Sequence, residues 1–271
     1  MAGPLDQVAS WPVGTAAVAV VTRGGVVDLC GPQNQPFAWA SVTKLLTTLA
    51  ALDAVQRGLL DLDEPAGPPG STVRHLLSHA SGLGLDGSVL SRPERRRIYS
   101  NTGFELVAET VAARSGKAFD ALLTDEILLP LGLSGTHLVG SAASGATGPL
   151  TDLVALATEL LTPTLVDAEL LAEATRTVYP DLPGVVPGFG RQVHCDWGLG
   201  FEVRNGKSPH WTGARNSAST FGHFGRSGSF LWVDPEAGIA CVELTDQEFE
   251  AWAKEVWPRL SDDVLLAYAG R

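Results

Sequence analysis

Short apolar runs near both ends of the chain predict β-strands. Between residues 14 and 30, two β-branched runs flank the pair Gly24-Gly25, a pattern typical of a β-hairpin. Similar runs return in the last third of the chain, separated by Gly, Pro and Asn residues that favour turns: 197–203, 229–234 and 238–246. We therefore expect strands from the two ends of the chain to share one sheet.

Helical spacing of apolar residues dominates the middle of the chain. Residues 41–57 place leucines three and four positions apart on one stripe, and Gly58 follows where a helix would end. Residues 102–115 and 151–161 have a similar texture, and each segment begins near a residue that commonly caps helices. A last helix is expected over 247–268, kinked or divided at Pro258.

This order of elements predicts an α+β fold. Its antiparallel sheet would be built from N- and C-terminal strands flanked by helices, with an inserted, mainly helical lobe. We assign residues 1–40 and 190–271 to the sheet lobe and residues 41–189 to the helical lobe. An active site is then expected in the cleft between the two lobes.

Composition and charge exclude several classes of protein. The 271 residues are 45% hydrophobic and 18% charged, which is incompatible with a disordered chain. The net charge of −11 argues against nucleic acid or an anionic membrane surface as a partner. No stretch reaches the roughly 18 apolar residues of a membrane span.

The three cysteines, Cys30, Cys195 and Cys241, are far apart and form no C-x-x-C pair. Neither a disulfide framework nor a cysteine zinc site is indicated, so we interpret them as buried free thiols. The first twelve residues contain no Lys or Arg and no apolar run leading to a cleavage site, unlike a signal peptide. We therefore expect a cytoplasmic protein.

The first candidate for chemistry is Ser41-Val42-Thr43-Lys44, at the start of a predicted helix. Three residues rise about 4.5 Å and turn about 300° along a helix, so Ser41 and Lys44 would lie on one face. A lysine in that position can accept or stabilise the serine proton, and the helix N-terminus favours a developing negative charge. The alternative is a capping serine followed by an ordinary surface lysine.

Two further motifs follow in the chain, Tyr99-Ser100-Asn101 before a helix and His223-Phe224-Gly225 before a predicted strand pair. Together with the first motif and with the segment VRHLLSHASGL at 73–83, their order resembles the serine β-lactamase-related family. The most similar branches are class C β-lactamases, D-alanyl-D-alanine carboxypeptidases and esterases built on the same scaffold.

The resemblance implies a role for each motif. Ser41 would be the acylated nucleophile, Lys44 its proton partner and Tyr99 the general base. Asn101 would bind a substrate amide or orient Lys44. The remaining residues would line the cleft edge and bind the oxyanion, the latter through the N–H of Arg226: His223, Phe224, Gly225 and Arg226. No metal and no cofactor is implied.

Phe224 departs from the family pattern, which usually has Thr or Ser at this position. The change removes a hydroxyl that can bind a substrate carboxylate, although Arg226, Ser227 or Ser229 could compensate. Esterase-like hydrolysis of small carboxylic esters is therefore the leading hypothesis, ahead of β-lactam or D-amino-acid amide hydrolysis. A catalytically idle member that only binds a ligand stays open, and the sequence does not indicate an oligomeric state.

Several other residues have simpler interpretations. His75 and His79 have a spacing that could bind zinc, but no acidic residue completes a metal motif. The run 95–97 of three arginines is interpreted as a solvated or salt-bridged segment. Three tryptophans flank the motifs in predicted loops and are candidates for the cleft: Trp39, Trp197 and Trp211.

Overall fold

The computed structural model describes residues 3–270 and contains a six-stranded antiparallel sheet. Its strands are β1 Ala16–Thr22, β2 Gly25–Cys30, β8 Glu202–Val203, β9 Phe221–Gly225, β10 Ser229–Asp234 and β11 Ile239–Thr245, counting all strands in chain order. The spatial order is β2-β1-β11-β10-β9-β8. Because β1 pairs along its whole length with β11, the two ends of the chain meet in the middle of the sheet, as the sequence predicts.

Two small sheets and seven α-helices complete the architecture of the described residues. The small sheets contain β3 Phe37–Ala38, β4 His137–Leu138 and β5 Ala146–Gly148, and the hairpin β6 Gly184–Val186 with β7 Gly190–Gln192. The helices are α1 Thr43–Gln56, α2 Val73–Leu77, α3 Asn101–Ser115, α4 Phe119–Leu123, α5 Leu150–Leu161, α6 Ala168–Ala174 and α7 Ala251–Tyr268. A π-helical turn over Thr124–Leu128 extends α4.

Both faces of the large sheet are buried over its central strands β1, β11, β10 and β9, whereas the edge strand β2 is partly exposed. Val242 and Leu244 of β11 face a core shared with α1, α3 and α5, whereas Cys241 faces a second core shared with α7. Strands covered on both faces are built mostly from apolar residues, which explains why these segments contain long apolar runs. The three sequence motifs are carried by elements of both cores.

The α+β prediction is confirmed, and so are the terminal hairpin and the helices predicted within 41–57, 102–115 and 151–161. One prediction is wrong in detail. Only Glu202–Val203 of the segment 197–203 is a strand, because Gly200 has φ +80° and lies tightly against Thr48. Of the two alternatives for Pro258, a divided helix is excluded, because α7 continues through it and its neighbours Trp257 and Leu260 are fully buried.

The division into two lobes stays a prediction. Helix α5 falls within the range assigned to the helical lobe, yet it packs on β1, β10 and β11. The short helices α2, α4 and α6 were not predicted, because five to seven residues are too few to establish a helical period. Within residues 3–270, no helix is long and apolar enough to cross a membrane.

The middle of β11 holds a buried carboxyl group. Glu243 lies opposite Val18 and Phe230 and is completely inaccessible to solvent. Burial raises the pKa of Glu243 well above its usual value, and the indole of Trp257 opposes this by a smaller amount. The folded protein therefore favours a neutral carboxylic acid at this position.

Glu243→Gln should remove a pH dependence of stability. The raised pKa in the folded state means that the stability contributed by the protonated carboxyl is complete below pH 4.5 and is lost as pH rises towards the folded pKa. Relative to the glutamine variant, the wild type should lose up to about 1.4 kcal/mol of stability per pH unit as pH rises above 4.5 towards the folded pKa. Urea unfolding measures this difference. Glu255→Gln, on the exposed surface of α7, is the control. If the free energy of unfolding changed with pH in the same way in Glu243→Gln and Glu255→Gln, the raised pKa of Glu243 would be contradicted.

Candidate active site

Ser41 lies in a tight turn that leads into α1. The 3₁₀ turn Ala40–Val42 precedes the helix, so Ser41 sits just before its first residue rather than within it. Ala40 adopts a left-handed conformation with φ 44°, which is rare for a residue with a side chain. Such strain costs on the order of 1–3 kcal/mol and is concentrated at functional sites.

The turn is fastened to the strand pair β9–β10. The Oγ of Ser227 donates to the carbonyl of Ala38 at 2.7 Å, and the Oγ of Ser229 donates to the carbonyl of Trp39 at 2.8 Å. A Cβ atom at Gly225 would lie 2.5 Å from the same Trp39 carbonyl. Only glycine lets β9 approach so closely, and both serines are engaged by backbone rather than free for a substrate.

Lys44 is buried one turn after Ser41. Its Nζ donates to the Ser41 Oγ at 3.3 Å, to the Asn101 Oδ1 at 2.8 Å and to the Ala143 carbonyl at 2.9 Å. Burial lowers the pKa of Lys44 to about 7, although the negative charge of Glu105 opposes the shift. Near neutral pH, a substantial fraction of Lys44 is therefore an uncharged amine that can accept a proton.

Tyr99 contacts the same serine from the opposite side. Its hydroxyl donates to the Ser41 Oγ at 2.7 Å. Burial raises the pKa of Tyr99, and the bond to Ser41 opposes this only in part. Tyr99 is consequently a neutral phenol at pH 7. The resemblance assigns the role of general base to Tyr99, but the group with the lowered pKa is Lys44.

The start of α3 orients Asn101. Ser100 caps the helix, because its Oγ accepts the N–H of Gly103 at 3.0 Å and donates to the carbonyl of Gly84 at 2.8 Å. Asn101 then occupies the first turn and directs its amide oxygen to Lys44. The motif Tyr99-Ser100-Asn101 thus delivers two polar groups to Ser41 and Lys44 from one helix N-terminus.

His79 supports Tyr99. The Nδ1 of His79 accepts the N–H of Ser100 at 3.2 Å, and its ring lies 4.6 Å from the ring of Tyr99 and 4.5 Å from that of Trp197. His75 instead bonds to Thr72 and to Glu94, so the two histidines do not converge. Residues 3–270 contain no cluster of His, Cys, Asp and Glu that could hold a metal.

The interpretation of the arginine run is wrong for Arg97. Its side chain is buried and donates to four backbone carbonyls, those of Ser78, Val178, Tyr179 and Cys195. Burial lowers the pKa of Arg97 to about 10, which leaves it charged at neutral pH. One guanidinium thus joins three loops two residues before Tyr99, an arrangement that the sequence of three arginines did not reveal.

The third motif lies on β9. His223 is buried, and its pKa falls to about 3 because of burial and the charge of Lys44, so the ring is neutral. Its Nδ1 donates to the Phe224 carbonyl at 2.7 Å, which leaves Nε2 as an acceptor. Arg226 is 83% exposed and pairs loosely with Glu248 at 3.4 Å, so its guanidinium is directed to solvent.

A cavity of about 640 Å³ opens over these groups. Six of the eight predicted site residues line it: Ser41, Tyr99, Asn101, His223, Phe224 and Arg226. Lys44 lies buried next to it, and Gly225 forms the adjoining backbone. Among the three candidate tryptophans only Trp197 lines the cavity, because Trp39 and Trp211 are buried with their N–H groups bonded to Gly148 and Glu202.

A buried ionic cluster beside the cavity has no counterpart in the sequence analysis. The carboxylate of Glu202 accepts from Lys207, from the Nε2 of His210 at 2.8 Å and from the Nε1 of Trp211 at 2.9 Å. Burial opposes the shift, but the electrostatic interactions and hydrogen bonds of His210 and Lys207 hold the pKa of Glu202 well below its usual range. The cluster fixes the loops on which Trp197 and Trp211 lie.

Comparison with known proteins identifies the class to which this fold and site belong. The family model described as Beta-lactamase matches residues 11–266. The chain therefore belongs to the β-lactamase family, whose members are serine hydrolases of the penicillin-binding protein and β-lactamase type.

A solved structure of a β-lactamase from Mycobacterium bovis is similar over 98% of this chain and 99% of its own, with 50% identity and a TM-score of 0.97. Penicillin-binding protein 4* from Bacillus subtilis is 28% identical over 39% of this chain. The D-alanyl-D-alanine carboxypeptidase/endopeptidase AmpH from Escherichia coli is 28% identical over 36%. The matched stretches span only 31% and 35% of those two relatives.

Replacing Arg97 by lysine should destabilise the protein. An ammonium group cannot satisfy four carbonyls in three loops, and each buried acceptor left unpaired costs about 1–3 kcal/mol. We expect the free energy of unfolding in urea to fall by at least about 2 kcal/mol. Arg95→Lys, at an exposed neighbouring position, should leave stability unchanged. Equal stability of the two variants would show that the carbonyl contacts of Arg97 are dispensable.

Proposed function

We propose that the protein is a serine hydrolase that forms an acyl-enzyme on Ser41. The observation that carries this proposal is the position of the Ser41 Oγ, which faces an open cavity and lies 3.3 Å from the Lys44 Nζ and 2.7 Å from the Tyr99 hydroxyl. A nucleophile held beside a base of lowered pKa is the general arrangement for covalent catalysis.

In the proposed mechanism, Lys44 in its neutral form takes the proton of Ser41 as the Oγ attacks the substrate carbonyl carbon. The carbonyl oxygen becomes an oxyanion, which the N–H groups of Ser41 and Arg226 would stabilise. Collapse of this intermediate breaks the bond to the leaving group, which receives the proton of the Lys44 ammonium, relayed by the Tyr99 hydroxyl, so that both groups are neutral again. A water molecule then attacks the carbonyl carbon of the acyl-enzyme while Lys44 takes its proton, and the bond to the Ser41 Oγ breaks as the Lys44 ammonium returns a proton to that oxygen and the acid product leaves.

The structure favours Lys44 over Tyr99 as the group that accepts the first proton. The pKa of Lys44 is lowered to about 7, whereas burial raises the pKa of Tyr99. A general base is most effective when its pKa lies near the working pH. We propose that Tyr99 positions the Ser41 Oγ and donates to the leaving group, while Asn101 holds the Lys44 amine in place.

Short carboxylic esters are the proposed substrates. Phe224 lines the cavity, and its ring packs against Phe249 at 5.0 Å and Trp257 at 5.9 Å. No hydroxyl is present at this position to bind a carboxylate next to the reacting bond. The second candidate is a β-lactamase, which the 50% identity with the Mycobacterium bovis protein favours.

We also propose a cytoplasmic location. Cys30, Cys195 and Cys241 are all free thiols in the described part of the chain, and the cytoplasm keeps thiols reduced.

Ser41 should be the only serine labelled by a fluorophosphonate probe, and the labelling rate should rise with pH. Acylation requires neutral Lys44, so the rate should increase through a midpoint near pH 7 and level off above pH 8. Intact-mass analysis gives the rate at each pH, and peptide mapping locates the adduct.

Three variants separate the roles in that experiment. Ser41→Ala should abolish labelling, and label that persists would contradict the nucleophile. Tyr99→Phe should lower the rate by roughly 10²–10⁴-fold but keep the midpoint near pH 7, since Lys44 remains. A midpoint that disappears in Tyr99→Phe and persists in Lys44→Met would instead make Tyr99 the base. A wild-type protein that no probe labels would favour the catalytically idle member.

The wild type should hydrolyse short-chain aryl esters with a higher kcat/KM than a chromogenic cephalosporin. A lost hydrogen bond to a carboxylate costs about 10- to 150-fold in affinity, and only the cephalosporin carries that carboxylate. Phe224→Thr should reduce the difference in kcat/KM between the two substrates. Phe224→Val, which matches threonine in shape but has no hydroxyl, should leave this difference as large as in the wild type. Faster cephalosporin hydrolysis by the wild type would favour the β-lactamase, and Arg226→Ala would then test the remaining carboxylate ligand.

Titration of the denatured protein without reductant should find three thiols per chain, matching Cys30, Cys195 and Cys241. Burial raises the pKa of Cys195 to about 11 and of Cys30 to about 11, so the native protein should react slowly. Recovery of a single thiol would reveal a disulfide and contradict the cytoplasmic location.

A further inference from the structure

A second cavity of about 480 Å³ adjoins the cleft that contains Ser41. The two cavities share Tyr99 and Pro187 in their walls. Two neighbouring residues of the β6–β7 hairpin line different cavities: Val185 lines the second cavity and Val186 lines the first. The second cavity, here named the extension, therefore borders the active-site cleft at Tyr99 and Pro187.

The walls of this extension are apolar and open to solvent. Leu90 and Val185 line it and are 52% and 57% exposed. Leu85, at the rim of the first cavity, is 58% exposed. Exposed apolar side chains grouped around one opening mark a place where an apolar part of a ligand is bound.

Two arginines stand at the same cavity, Arg96 and Arg191. Arg191 is the cross-strand partner of Val185, so both side chains lie on one face of the β6–β7 hairpin. Neither arginine forms an ion pair with any residue of the 3–270 region. In a chain of net charge −11, two unpaired guanidinium groups at an apolar cavity favour an anionic ligand.

The position of Tyr99 determines which part of the substrate reaches this cavity. The proposed function makes Tyr99 the neighbour of the leaving group, because its hydroxyl lies 2.7 Å from the Ser41 Oγ and holds a proton. The leaving group is then directed towards Tyr99 and past it into the extension, whereas the acyl group stays bonded to Ser41 in the first cavity.

We propose that the extension binds the leaving group of an ester whose alcohol has an apolar stem and a terminal carboxylate. Leu90 and Val185 contact the stem, and Arg96 and Arg191 bind the carboxylate. This inference rests on the proposed function. It differs from carboxylate binding by a hydroxyl at position 224, because here the charge is bound in the second cavity beside Leu90 and Val185, away from the reacting bond.

Two butyrate esters with matched phenol leaving groups test the inference. One is the butyrate of 3-(4-hydroxyphenyl)propanoate, and the other is the butyrate of the corresponding propanamide, which has no charge. The wild type should show a kcat/KM about 10-fold higher for the carboxylate, within the range for hydrogen bonds to charged groups. High salt should reduce this preference, since the arginines are exposed.

The variants Arg96→Gln and Arg191→Gln should each reduce the preference, and the double variant should bring the two esters within about 2-fold of each other. Hydrolysis of the amide-capped ester should not change in any of them. Arg95→Gln is the matched control, because it removes the same charge from an exposed residue that does not line the cavity. Its preference should equal that of the wild type.

Other outcomes overturn the inference. Equal rates for the two esters in the wild type, or a preference that Arg95→Gln reduces as much as the double variant, would exclude a specific carboxylate site. A 4-nitrophenyl monoester of adipic acid, tested against 4-nitrophenyl hexanoate, places the charge on the acyl side. If the protein preferred a carboxylate on the acyl group but not on the leaving group, and the double variant lost that preference, the extension would bind the acyl group rather than the leaving group. The proposed function itself fails only if Ser41 is not labelled and neither ester is hydrolysed.

Discussion

The buried amine of Lys44 is the interaction on which the rest of the site depends. Its Nζ joins three separate parts of the chain: the turn at Ser41, the first turn of α3 at Asn101 and the carbonyl of Ala143. Removing this group from water lowers its pKa to about 7, and the three acceptors stabilise what charge it keeps. Burial thus lets Lys44 act as a base near neutral pH, and the hydrogen bonds of its Nζ hold the amine next to Ser41.

Burial, reinforced by the nearby Lys44, keeps the two histidines around it neutral. Burial and the nearby lysine lower the pKa of both His79 and His223, so neither ring is a cation at neutral pH. His79 accepts a backbone N–H and packs on Tyr99, whereas His223 donates to the carbonyl of Phe224. Both serve as neutral hydrogen-bonding rings. The site keeps one dominant positive group, in line with a reaction in which negative charge develops on a substrate oxygen.

Local geometry explains which features could be predicted from the sequence. The pairing of Ser41 with Lys44 needs only helical spacing, and the terminal strands were visible because both faces of the sheet are apolar. Arg97 was misread, because nothing distinguishes it from its two exposed neighbours except carbonyls brought close by the folded loops. The cluster around Glu202 was missed for a similar reason: its partners come from irregular loops without a repeating period.

Phe224 connects substrate preference to the packing of the C-terminal helix. One edge of its side chain lines the cleft, but the ring is only 8% exposed and packs against Phe249 and Trp257 beside α7. A threonine at this position would bring a hydroxyl to the cleft and leave a void in the second core, since close-packed interiors tolerate such losses poorly. Larger side chains on α7 would therefore be needed to recover the stability that such a change towards carboxylate binding loses. The packing of that helix constrains which leaving groups the cleft accepts.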